Sequence, residues 1–249
     1  MTATLGLIGA GRIGSALAKL ALAAGIEVVV SNSRGPQTLT DLVARLGEGV
    51  RAADVRGVAR AGDVVVATIP FGRHPDLPVA ELDGKVVIDT MNYYPERDDR
   101  FAELDAQKVT SSQLTQRHLP GSRVVKAFNN IDFLRLEVLA RPSGAQDRTA
   151  LPIAGDDNGG KDEARGLLDR LGYDALDTGT LGDSWRSEPQ TEIYVKPYLP
   201  DRPAELTDPS AVMDWFLQGF GVAVPADRTE RLIRDTARQS PAEARESLG

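Results

Sequence analysis

A glycine-rich turn near the N-terminus constrains this chain more than any other feature. Thr4–Ile8 is a short apolar run that ends at Gly9 and reads as a buried strand. Ile13–Ala24 is rich in Ala and Leu at helical spacing and stops at Gly25. Between them lies Gly9-Ala10-Gly11-Arg12-Ile13-Gly14, which matches G-x-G-x-x-G. The hexapeptide alone is a weak signal. Its place after a strand and before a helix, with a second β-branched run at Glu27–Val30, gives it weight. Each glycine then has a physical task. Gly9 permits the tight turn, Gly11 lets a pyrophosphate approach the backbone, and Gly14 lets the helix pack closely on the strand. The free N–H groups at the helix start, with the helix dipole, favour an anion. The other reading is a tight strand-to-helix turn with no ligand.

The alternation continues along the chain. Gln37–Leu46 reads as a helix, Val64–Thr68 as a strand broken by Pro70, Val86–Ile88 as a strand, and Arg123–Lys126 as another. Ser111–His118 reads as a short helix between the last two. Leu151–Ala154 and Tyr173–Leu176 are further strands. They flank a helix over Lys161–Leu171, with Asp156 or Asp157 as N-cap and Gly172 just past its end. Strands alternating with helices predict an α/β fold with a doubly wound, mostly parallel sheet covered on both faces. The pattern stops near residue 180, and the expected division is 1–182 for the nucleotide-binding domain and 183–249 for a small C-terminal segment. Val212–Phe216 in that segment is apolar and reads as core or as an interface, and Asp227–Arg238 reads as a polar helix.

The end of the second strand decides which ribose is read. A site selective for an unphosphorylated ribose carries Asp or Glu there. This chain has Ser31-Asn32-Ser33-Arg34. No carboxylate is present to repel a 2′-phosphate, and Arg34 offers a fork of donors to receive one. The expected nucleotide is NADP(H); the alternative is that Arg34 is a solvated loop charge.

A hydride acceptor that is a ketone or imine needs a nearby proton donor. His74 follows Thr68-Ile69-Pro70-Phe71 and is the catalytic candidate, with a loop histidine as the plainer reading. Tyr93 is the other inexpensive donor, although Tyr93 and Tyr94 both read as packing residues, and Lys126 on a strand is a further candidate. If the acceptor is a flavin-like ring, proximity and stacking supply most of the catalysis. Apolar walls are then wanted beside the nicotinamide, and Ile69, Pro70, Met91, Ala127 and Phe128 suit that need. Asn92, Asn129 and Asn130 either orient amides and ring carbonyls or simply form turns.

Composition removes other classes. The 249 residues contain no cysteine and two histidines, so thiolate chemistry and multi-histidine metal sites are not expected. The 29 basic and 36 acidic residues give a net charge of −7, a poor footprint for nucleic acid. No run approaches the roughly 20 apolar residues needed to cross a bilayer. The N-terminal residues lack the charged flank of a secretory signal, so a cytoplasmic protein is the expectation.

Several separated stretches, in order, carry a family resemblance. They are the Gly9–Gly14 turn, Val28–Arg34, Asp63–Pro70 (DVVVATIP), Arg123–Phe128 (RVVKAF), and Ala154–Asp157 followed by Leu176–Leu181. With these the chain resembles the coenzyme F420-dependent NADP oxidoreductases. Val124–Asn129 is also similar to the cytosolic domain of membrane metalloreductases that share the fold. The resemblance implies a Rossmann-type domain with a small C-terminal part, usually dimeric. It implies NADP(H) on the glycine turn and Ser33 and Arg34 at the 2′-phosphate. It places Thr68-Ile69-Pro70 beside the nicotinamide and a deazaflavin or flavin as a small-molecule redox partner. The rival readings are an NADPH-dependent reductase of a small carbonyl or imine, and a non-catalytic NADP(H)-responsive regulator.

Overall fold

The computed structural model describes residues 4–238. Residues 1–3 and 239–249, at the outer ends of the two segments expected from the sequence, lie outside the described residues. Eight strands form one sheet: β1 (Thr4–Ile8), β2 (Glu27–Ser31), β3 (Val50–Ala52), β4 (Val64–Ala67), β5 (Val86–Asp89), β6 (Arg123–Lys126), β7 (Ala150–Gly155) and β8 (Asp174–Asp177). Their order is β3-β2-β1-β4-β5-β6-β7-β8, and every neighbouring pair is parallel except β6 and β7. The chain winds outward from β1 to β3, then crosses back to β4 and winds the other way. The reversal between β1 and β4 is the switch point at which open α/β sheets bind their ligands.

Side chains alternate along a strand, so a strand covered on both faces must be apolar throughout. Leu5, Leu7, Val28, Val30, Val66, Val86, Ile88 and Val125 join one apolar layer; Ile8, Val29, Val65, Ala67, Val87 and Val124 join the other. The first layer is covered by α1 (Arg12–Ala23), α2 (Thr40–Leu46), α8 (Phe133–Val138) and α9 (Asn158–Arg170). The second is covered by α3 (Val55–Ala61), α4 (Val79–Leu82), α6 (Ala102–Asp105) and α7 (Ser111–His118), with α5 (Pro95–Asp98) nearby. At about 1.5–3 kcal/mol for each fully buried large apolar side chain, these layers are the main stabilising term.

The sheet matches the expected fold class, with some elements the sequence does not announce. The helix expected over Gln37–Leu46 is a 3₁₀ turn at Pro36–Leu39 followed by α2. Short β3 and α3 fall between the expected elements, and Asp54 caps α3 by accepting from Gly57 N at 2.6 Å. After β8 the described chain has two 3₁₀ turns, Leu181–Ser187 and Lys196–Tyr198, two α-helices, α10 (Pro209–Leu217) and α11 (Ala226–Asp235), and no strand. These residues pack on the same core: Ile193, Tyr198, Val224 and Ile233 belong to the first layer. Among the described residues no helix is long and apolar enough to cross a membrane.

One buried polar network crosses the second half of the sheet. Asp89 ends β5 and Lys126 ends β6, and both are almost wholly buried. Lys126 Nζ lies 3.8 Å from Asp89 Oδ2, donates to the Met91 carbonyl, and donates to Ser111 Oγ at 3.1 Å. Asp89 also accepts from Met91 N at 2.8 Å and from Ser112 Oγ at 2.7 Å. Ser111 Oγ in turn donates to Glu188 at 2.6 Å, so β5, β6, the start of α7 and the segment after β8 are tied together. Removing one partner would strand the other charge in the interior. Lys126→Ala should therefore cost about 3–5 kcal/mol, seen as a lower urea midpoint, and pairing Lys126→Met with Asp89→Asn should recover much of that loss.

Candidate functional site

The cleft is made where three strands of the switch point end. Its walls come from Gly9–Gly11 after β1, Ser31–Gly35 after β2, and Thr68–Pro70 after β4, and its volume is about 940 Å³. The glycine turn shows why its residues are glycines. Gly9 has φ 122°, and a Cβ there would lie 2.2 Å from the Thr68 carbonyl oxygen. A Cβ on Gly14 would lie 2.1 Å from the Gly9 oxygen, so only glycine lets α1 start this close to β1. Gly11 is different. Its φ of −75° suits any residue, and a Cβ would meet nothing within 4 Å. No protein atom requires a glycine there; the space in front of it opens on the cleft.

The start of α1 favours an anion. Gly11 is its N-cap, no side chain caps it, and the first turn holds no acidic residue. The leading N–H groups and the positive dipole end are therefore uncompensated by the protein. At the other end of the cleft, Asn32 builds the loop after β2. Its Nδ2 donates to Thr38 Oγ1 at 2.8 Å and its Oδ1 accepts from Arg34 N at 3.0 Å. Ser31 Oγ is buried without a hydrogen-bond partner among the described residues. Ser33 and Arg34 are exposed, and the Arg34 guanidinium makes no hydrogen bond or ion pair among the described residues. This end of the cleft also gathers Thr38, Asp41, Arg45 and Arg56, which the sequence reading did not single out. Thr38 comes from the 3₁₀ turn before α2, Asp41 and Arg45 from α2, and Arg56 from α3, and only the folding of those elements beside β2 brings the last three near Arg34.

The other expected site residues divide. Gly9, Ala10, Gly11, Ser31, Asn32, Ser33, Arg34, Thr68, Ile69 and Pro70 share the cleft wall. Arg12 instead reaches sideways, its guanidinium 5.0 Å from the Phe133 ring centroid, and Ile13 packs partly into the core. Met91, Ala127 and Phe128 are buried within the core layers and do not line this cleft. Asn92 and Asn129 bond to each other: Asn92 Nδ2 donates to the Asn129 carbonyl at 2.7 Å and Asn129 Nδ2 to Asn92 Oδ1 at 3.1 Å. They join the loops after β5 and β6.

The structure does not bring His74 to the cleft. Phe71–Asp76 is a 3₁₀ turn with three residues per turn. Pro70, Arg73 and Asp76 therefore face the cleft, while Phe71 and His74 face the opposite side. His74 stacks on Phe71 with ring centroids 4.6 Å apart, and its Nδ1 meets the Phe71 carbonyl at 3.0 Å. With His118, Phe101, Leu114, Glu103 and Arg117 it lines a separate cavity of about 460 Å³. Tyr93 is likewise committed: its hydroxyl donates to Asp105 at 2.9 Å and accepts from Phe101 N at 3.2 Å. Lys126 is held in the buried network described above. Among the described residues, no cluster of His, Cys, Asp and Glu is arranged to hold a metal ion.

Burial lowers the His74 pKa below the ordinary histidine value, against the raising effect of the Phe71 carbonyl; the neighbouring His118 reinforces the lowering. The unfolded chain then takes up the proton first as pH falls through about 6.5. Stability should decrease from pH 7.5 to pH 5.5, and His74→Gln should flatten that slope in paired urea titrations.

Comparison with known proteins agrees with this geometry. Residues 4–93 match the family described as NADP oxidoreductase coenzyme F420-dependent, so the resemblance seen in the sequence holds over the region that builds the cleft. No curated protein is significantly similar to the chain. A hypothetical protein from Sinorhizobium meliloti has a similar structure, with 29% identity and a TM-score of 0.68 over 81% of this chain and 97% of its own. A candidate F420-dependent NADP-reductase from Arthrobacter sp. FB24 matches with 21% identity and a TM-score of 0.61, over 73% of this chain and 86% of its own. An imine reductase from Myxococcus stipitatus matches with 24% identity and a TM-score of 0.51, over 73% of this chain and 56% of its own. The last two likenesses speak to fold.

Proposed function

Because residues 4–93 carry the dinucleotide-binding region of the coenzyme F420-dependent NADP oxidoreductase family, we propose that this protein is an oxidoreductase exchanging a hydride between NADP(H) and a deazaflavin or flavin-type ring. The observation that carries the nucleotide assignment is Arg34. It is an exposed guanidinium without an ion-pair partner, beside Ser33 at the end of β2, on a cleft at the switch point. The pyrophosphate belongs at Gly9, Ala10 and Gly11, where the open space before Gly11 and the uncapped helix start suit it. The 2′-phosphate belongs at Ser33 and Arg34. Thr68, Ile69 and Pro70 form the wall toward the nicotinamide end. The bound nucleotide supplies the hydride; the protein's part is to hold, orient and shield it.

The lining of the cleft supports this choice of acceptor. Among its described lining residues there is no histidine, tyrosine or lysine, and its three carboxylates are engaged in the fold: Asp41 lies in the first turn of α2, Asp54 caps α3 and Asp76 pairs with Arg73. Transfer between two ring carbons depends mainly on proximity and stacking, which suits a planar partner laid against the apolar wall at Ile69 and Pro70.

NADPH should bind at least about tenfold more tightly than NADH, and Arg34→Ala should erase most of that preference by removing a charge-assisted contact of about 1.5–3 kcal/mol. Nucleotide fluorescence titrations measure both, and equal parental affinities would refute the NADP(H) assignment. A second test uses the contrast between the glycines. Gly11→Val should keep the parental melting temperature yet abolish binding of both nucleotides. Gly14→Ala should lower the melting temperature, because its Cβ has no room beside the Gly9 carbonyl.

A further inference from the structure

A pair of tyrosines meets at the active edge of the sheet, beyond the nucleotide cleft. Tyr94 lies in the loop after β5, and its hydroxyl hydrogen-bonds to that of Tyr194, from the segment after β8. Both residues are half-buried. Neither hydroxyl has another hydrogen-bond partner among the described residues, in contrast to Tyr93. The Arg97 guanidinium lies 4.8 Å from the Tyr94 ring centroid and donates to the Asn92 carbonyl at 2.9 Å.

The pair is held at the ends of β5 and β6. Asn130, in the loop after β6, accepts from Val195 N at 2.8 Å through its carbonyl and donates through Nδ2 to Ile193 O at 3.3 Å and to Tyr198 Oη at 2.6 Å. Tyr194 is thus fixed by its chain neighbours on both sides. Val195 itself has φ 57°, a conformation that a β-branched residue rarely adopts and that persists only where surrounding contacts impose it. The same loop leads into Phe133, against which Arg12 at the start of α1 is laid. The pair therefore lies on the side of the glycine turn opposite Arg34. A dinucleotide with its adenosine end at β2 and its pyrophosphate at β1 runs toward β4 and β5, in the direction of these tyrosines.

Two phenols bonded to each other contain two hydroxyl protons. One lies in the bond between them, and the other is free to be given away. Burial raises both pKa values, most strongly for Tyr194, where the neighbouring Tyr94 adds to the effect. Both phenols are therefore protonated at neutral pH. Arg97 and Asp98 on α5 and Asp132 before α8 are the charged groups that act on the pair. Arg97 acts on both hydroxyls in the direction that favours the phenolate, and is itself held by Asp98 through hydrogen bonds at 2.8 and 2.7 Å.

We propose that the Tyr94–Tyr194 pair is the proton donor for the hydride acceptor, which binds beside the loop after β5, between this pair and the nucleotide cleft. This rests on the NADP(H) oxidoreductase reading above. The C–H bond of the dihydronicotinamide breaks, and its hydrogen leaves with the electron pair to form a C–H bond on the acceptor ring. NADPH is oxidised and the acceptor reduced. The acceptor's ring nitrogen gains basicity and takes the phenolic proton; the phenolate is reprotonated from water. The sum is NADPH plus a proton plus acceptor, giving NADP⁺ and the dihydro acceptor. In the reverse direction the pair accepts the proton.

The test uses the full chain, its Tyr94→Phe and Tyr194→Phe variants, and 5-deazariboflavin as probe. NADPH affinity should stay within about twofold of the parent, since the pair lies outside the nucleotide cleft. The affinity of NADP⁺-loaded protein for 5-deazariboflavin should fall about three- to tenfold for one lost hydrogen bond. Single-turnover hydride transfer should slow by about 10²-fold or more, the ordinary contribution of a positioned acid. Imidazolium buffer should restore part of that rate in the variants but leave the parent unchanged, a rescue that a merely structural role would not produce. If one variant fails to fold, the other carries the test. Parental transfer rates and probe affinity in a folded variant would overturn the proton-donor assignment while leaving the NADP(H) reading intact. A parent that binds no NADPH, or binds it but reduces neither 5-deazariboflavin nor riboflavin 5′-phosphate, would overturn both.

Discussion

The approach of α1 to the first turn is the constraint on which the cleft depends. A single added carbon on Gly14 would lie 2.1 Å from the Gly9 carbonyl oxygen, and one on Gly9 2.2 Å from the Thr68 carbonyl oxygen, both far inside contact distance. These contacts lock the ends of β1 and β4 and the start of α1 into one rigid corner. The N–H groups at the helix start then point at fixed positions over the switch point. A corner fixed in this way is preorganised, and preorganisation saves the entropy otherwise lost on binding.

The legible part of the fold was the part governed by local rules. Residues 64–67 had to be a strand buried on both faces, because four consecutive apolar residues, three of them β-branched, end shortly before a proline. The sequence offers Asp156 or Asp157 as the cap of α9, and the structure chooses Asp157, which accepts from Gly160 N, while Asp156 accepts from Leu181 N. β3 escaped notice because it is three residues long, with no residue fully buried and little pattern to show. The six-residue α8 is similarly too short to display a period, although Asp132 caps it through Leu134 N and Arg135 N.

The site was legible by position and less so by direction. Sequence can place a residue at the end of a strand; it cannot say which way the side chain turns there. Thr68, Ile69 and Pro70 turn into the cleft, whereas Met91 turns into the core and leaves its carbonyl to Lys126. His74 is expected near the end of the Val64–Thr68 strand and lies in the 3₁₀ turn that follows β4. A turn of period three nevertheless assigns it to the face opposite Arg73 and Asp76. Tyr94 and Tyr194 are separated by 100 positions, and no local pattern could have joined them.

The antiparallel seventh strand has a geometric consequence. It pairs with β6 only through Val125 with Gly155 and Lys126 with Ala154. The four residues from Ala150 to Ile153 consequently run on past the point where β6 stops. At about 3.4 Å per residue that is an overhang of roughly 13 Å. The sheet is thus stepped: on one flank a β-ribbon of β7 and β8 rises above the rim formed by the other strand ends.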